Sequence, residues 1–83
     1  MKDEFEGSRT LHGQLKKTKG NQMVVEGVIL VFDDPLRGEE MWRDLGKDVE
    51  LRGDFYTHHC DPEEQCPEEG YIQYLRNVVR LDR

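Results

Sequence analysis

The sequence predicts a mainly β chain: a small antiparallel five-stranded barrel with one short helix. Three observations lead there. Apolar residues recur at every second position through residues 10–18 and 49–57, the period of a strand with one buried face. The densest apolar run, residues 23–32, is rich in β-branched side chains, and the whole chain contains no alanine. Gly13, Gly27 and Gly53 lie inside these runs, where a strand bulges or bends.

Size and charge bound the rest. The chain has 83 residues, 36% of them charged and 35% hydrophobic, with a net charge of -6. That predicts one domain over residues 1–83. Leu, Val, Ile and Phe together reach about 24%, just above the level below which a highly charged chain stays disordered. No run approaches the ~20 apolar residues of a membrane span. The first six residues lack the apolar stretch of a secretory signal, so the expectation is a cytoplasmic protein with no membrane partner.

The elements follow in order. Residues 1–8 are acidic and aperiodic, and a disordered terminus is expected. In residues 10–18, Leu11, Gly13 and Leu15 share one face, and the segment up to Gln22 then reads as a turn. Residues 23–32 read as one long strand with a bulge or bend at Gly27. Asp34 and Pro35 suit an N-cap and first helical position, and Met41, Trp42 and Leu45 share a face. A short helix is expected around residues 39–45, stopped by Gly46. Val49, Leu51, Gly53, Phe55 and Thr57 face inward on the next strand. Residues 59–70, with two prolines and five acids, form a loop. Residues 71–81 form the last strand, with its phase slipping near Arg76 and Asn77.

The run Val49-Glu50-Leu51-Arg52-Gly53-Asp54-Phe55, a loop, and then Tyr71-Ile72-Gln73-Tyr74-Leu75-Arg76-Asn77-Val78 resembles the closing strands of OB-fold domains. The likeness covers roughly 30 residues by residue class. It implies a five-stranded Greek-key barrel that binds single strands or oligosaccharides on one face.

The segment His58-His59-Cys60 to Cys66 admits three readings. His58, His59, Cys60 and Cys66 are candidate zinc ligands, although five residues separate the cysteines and adjacent histidines on a strand diverge. Alternatively Cys60 and Cys66 form a disulfide, or both remain ordinary thiols. Cysteine catalysis is disfavoured, because Asp61, Glu63, Glu64, Glu68 and Glu69 oppose thiolate formation.

Arg9, Lys16, Lys17 and Lys19 carry four positive charges with no acid from residue 9 to residue 19. Beside an aromatic face it could track a nucleic-acid backbone. Lys16, Lys17, Lys19, Tyr56 and Tyr74 are therefore the candidate nucleic-acid-binding residues. No phosphate-binding glycine loop occurs, and Ser8 is the only serine, so no catalytic residue is assigned. The expectation is a non-enzymatic domain that binds single-stranded nucleic acid and needs no cofactor. The alternative is an acidic module for a basic protein, stabilised by zinc or a disulfide in the Cys60–Cys66 loop.

Overall fold

The computed structural model describes residues 3–67 and 69–82. In chain order the elements are β1 (Asp3–Gln14), β2 (Lys16–Lys17), β3 (Met23–Val25), β4 (Val28–Leu30), α1 (Pro35–Trp42), β5 (Asp48–His59) and β6 (Tyr71–Arg80). The strands form one six-stranded sheet in the order β1-β5-β6-β4-β3-β2. All neighbours run antiparallel except β4 and β6, which pair in parallel.

Four features differ from the sequence expectation. The sheet is mixed and not closed, with six strands instead of a five-stranded antiparallel barrel. The first run breaks at Leu15, whose N–H donates to Lys47 O (2.9 Å) and whose carbonyl accepts from Gly46 N–H (2.8 Å). That diversion splits one strand into β1 and β2, which become the two end strands of the sheet.

The second difference is at residues 23–32. They fold as a hairpin, because Glu26 (φ 53°) and Gly27 (φ 77°) both take left-handed backbone between the pair Val25 and Val28. Two such residues make the tight turn that suits antiparallel strands. Third, α1 starts at Pro35 rather than Glu39, because Asp34 Oδ1 accepts from Leu36 N–H at 3.0 Å and caps it there.

The fourth difference is the N-terminus. Of residues 1–8, expected as disordered, residues 3–8 belong to β1 and pair with β5 from Asp3↔His58 to Ser8↔Asp54, and residues 1–2 lie outside the described residues. Local apolar periodicity is absent there because the order comes from a distant strand. Glu6 Oε2 accepts from the buried Thr57 hydroxyl at 2.8 Å, tying the two strands together.

The core follows the alternation. Leu11, Leu15, Val25, Val28, Val49, Leu51 and Leu75 are fully buried, with Met23, Leu30, Phe55 and Val78 around them. Met41 carries α1 onto this cluster, while Phe32 and Trp42 pack at its margin and Leu45 stays exposed. At the expected phase slip, Asn77 (φ 52°) and Val78 stand opposite Gly53 alone, a bulge that re-aims β6.

Candidate functional site

The inward alternation of β5 leaves Glu50, Arg52, Asp54, Tyr56 and His58 on its outer face. Register then carries one row across the whole sheet. Phe5 pairs with Tyr56, Tyr56 with Tyr74, Tyr74 with Ile29, Ile29 with Val24, and Val24 with Lys16. The Tyr56 and Tyr74 rings stack 5.2 Å apart, only 7° from parallel. Phe5 leans on Tyr56 at 5.3 Å and 53°, and it is 60% exposed, so it belongs to a surface and not to the core.

Beside Tyr74 lies a groove of about 390 Å³, lined by Gln22, Ile29, Val31, His58, Ile72, Tyr74 and Arg76. Its apolar floor and its cationic corner at Arg76 suit a planar ring that carries an anionic group.

The polar edge of the row is a linked network. Tyr74 Oη donates to Asp3 Oδ2 at 2.8 Å, and His58 Nδ1 bonds Asp3 Oδ1. His58 Nε2 lies 3.0 Å from Glu64 Oε2. The hydrogen bonds from Glu64 and Asp3 favour imidazolium and push the His58 pKa up. The bonds from His58 and Tyr74 hold the Asp3 carboxyl below its ordinary range. Burial, and then the Asp3 carboxylate, push the Tyr74 phenol up. Arg76 is held by Asp33 at 3.1 Å.

The expected binding residues are only partly gathered. Tyr56 and Tyr74 stand together, and Lys16 ends the same row. Lys17 pairs with buried Met23 at the next position along, and Lys19 lies in the turn after β2. Arg9 lies 4.6 Å over the Phe55 ring, away from the row. Sequence reasoning missed Phe5, Ile29 and Arg76. Phe5 is a lone apolar residue among acids, and only its pairing with Tyr56 gives it neighbours.

In the loop, Cys60 and Cys66 form a disulfide with Cα atoms 6.4 Å apart. The expected ligand set His58, His59, Cys60 and Cys66 does not converge. Both sulfurs are used in the bond, and His59 turns toward Glu4 (3.8 Å) while His58 turns toward Asp3 and Glu64. Among the described residues, the group that does converge is His58, Cys60 and Glu64, with ligand atoms within 4.8 Å of one another. Within those residues, no helix is long and apolar enough to cross a membrane.

Comparison with protein-family models, curated proteins and solved structures finds no match for this chain.

Proposed function

We propose that this chain is a non-enzymatic binding domain that takes single-stranded nucleic acid on its outer sheet face. The observation that carries the reading is the stacked pair Tyr56 and Tyr74 at the centre of the Phe5-to-Lys16 row. A base entering the groove beside Tyr74 extends the aromatic column, and such stacking is tolerant of sequence. Arg76 at the groove and Lys16 at the end of the row then lie where phosphates would run. The strand order supports the same reading. The two end strands are consecutive in the chain, and α1 lies between β4 and β5, an arrangement akin to a partly open Greek-key barrel.

The test is an NMR titration with mixed-sequence oligonucleotides at low salt. Shifts should concentrate on Phe5, Tyr56, Tyr74, Ile29, Arg76 and Lys16. Tyr74→Ala should weaken binding by about 1–3 kcal/mol. Lys16→Ala should lower the salt dependence by about one counterion, and Lys19→Ala should change it little. A titration without shifts in the row refutes the proposal.

A second reading rests on the acids beside the row. Asp3, Asp33, Asp54 and Glu64 adjoin it, and the chain carries -6 overall, which favours a basic protein as partner. If a lysine-rich polypeptide shifts the same residues and oligonucleotides do not, this reading replaces the first.

A further inference from the structure

We propose that the loop after β5 carries a redox-gated site for one zinc-class cation, closed by His58, Cys60, Glu64 and Cys66 only when the Cys60–Cys66 bond is reduced. The disulfide and metal chemistries of this loop are then two states of one device. The ligand set also differs from the obvious one, with Glu64 in place of His59.

The geometry supports each ligand separately. The ligand atoms of His58, Cys60 and Glu64 already lie within 4.8 Å of one another. A tetrahedral zinc with Zn–S near 2.3 Å and Zn–N near 2.0 Å needs neighbouring donors about 3.3–3.8 Å apart. A closure of roughly 1 Å is therefore enough, within the reach of loop side chains. Cys66 Sγ is bonded to Cys60 Sγ, so once the bond opens it remains beside the same point. Two separated thiolates on one zinc would sit about 3.8 Å apart, a separation open to them once the bond is broken.

His58 is oriented as a ligand. Its Nδ1 faces the Asp3 carboxylate, which the Tyr74 hydroxyl holds from its other oxygen. A histidine whose second nitrogen is held by a carboxylate presents Nε2 to a metal. That Nε2 lies 3.0 Å from Glu64 Oε2, so the two donor atoms already face one another and need to part by only about 0.3 Å to flank a cation. Glu64 is aimed from the other side, since its Oε1 accepts from Asp61 N–H at 3.1 Å. The loop base is closed by Cys60 N–H donating to Gly70 O at 3.0 Å. His59, by contrast, faces Glu4 across the β1–β5 pair. Two sulfurs, one imidazole and one carboxylate make a donor set that suits zinc.

The chemistry balances. A dithiol gives two electrons and two protons to the disulfide; the S–S bond breaks, two S–H groups form, and the dithiol closes to its own disulfide. Cation binding then releases both thiol protons and the proton held at His58 Nε2. A disulfide oxidant takes the two electrons back and leaves as its own dithiol with two protons from water; the Cys60–Cys66 bond re-forms and the metal is expelled, because each sulfur is again spent on the other.

The experiment uses the full chain, oxidised and phosphine-reduced, titrated with Co²⁺ and then Zn²⁺. The phosphine takes oxygen from water as the disulfide becomes two thiols. The reduced chain should bind one Co²⁺ with tetrahedral d–d absorption and a thiolate-to-cobalt band, and Zn²⁺ should displace it. The oxidised chain should show neither band. Glu64→Gln and Asp3→Asn should each weaken cobalt binding about ten- to a hundred-fold, and His59→Gln should leave it unchanged. Circular dichroism of each variant separates lost ligation from lost folding. The proposal is overturned if the reduced wild type gives no tetrahedral cobalt spectrum, if it unfolds and cobalt does not refold it, or if His59→Gln removes the site while Glu64→Gln does not.

Discussion

Gly53→Ala tests the packing that shapes the outer face. Gly53 lies on β5 opposite the Asn77 bulge. A Cβ added there would meet Arg76 O at 2.5 Å, Leu75 Cγ at 2.9 Å and Leu75 Cδ2 at 3.2 Å. A normal carbon-to-carbonyl contact is about 3.3 Å, so the backbone must yield by roughly 0.8 Å. Leu75 is fully buried and cannot swing into solvent. Overpacking of this kind costs about 2–3 kcal/mol. For a domain of this size that lowers the melting temperature by about 8–24 °C. Gly20→Ala is the control, because only the Thr18 hydroxyl comes near, at 3.8 Å. It should melt within a few degrees of the wild type. Calorimetry of the oxidised protein reads both. A Gly53→Ala melt indistinguishable from that of Gly20→Ala would refute the claim that β5 and β6 approach too closely for a side chain.

Other outcomes follow from single contacts. Reducing Cys60–Cys66 in chelator, which removes a cross-link across a sequence separation of 6, should cost about 2 kcal/mol and lower the melting temperature by about 8–16 °C. Asp34→Ala removes the α1 cap and should lower the urea-derived stability by about 1 kcal/mol. Arg80 bonds the Asp44 carboxylate, whose side chain is only 5% exposed, so Arg80→Ala should destabilise by about 2–3 kcal/mol. Lys47, 3.5 Å from Asp44, retains part of the compensation. The Arg80 hydrogen bonds also hold the Asp82 carboxyl down to about 2. A depressed carboxylate contributes stability above its unfolded pKa near 3.8 and loses it as pH falls through about 2. NMR should place the Asp82 midpoint near 2 in the wild type, and Arg80→Ala should return it toward the ordinary range.

The outer row and the loop share one strand end. His58 lines the groove beside Tyr74, bonds Asp3 and meets Glu64. A change in the loop therefore reaches the proposed binding face through one side chain. Substituting His58 alone would confound the two proposals, whereas Tyr74→Ala and Glu64→Gln separate them.

Strand-rich class, the position of the phase slip at Arg76 and Asn77, and the inward set of β5 were legible in the sequence, because alternation with period two is a local property of the chain. The same holds for the Asp34 cap and for the turn after β2. A disulfide between Cys60 and Cys66 was one of three readings, and spacing alone cannot choose among them. Other features needed the tertiary structure. The order of residues 3–8 comes from β5, more than forty residues away, and their own apolar pattern is too weak to reveal it. The break at Leu15 depends on Lys47 and Gly46 taking its backbone hydrogen bonds. The parallel pairing of β4 with β6 is what sets Ile29 beside Tyr74. The surface row and the convergence of His58, Cys60 and Glu64 thus belong to register between distant strands and to loop closure. Both are set by which backbone groups find partners across the sheet, and no single segment encodes that choice.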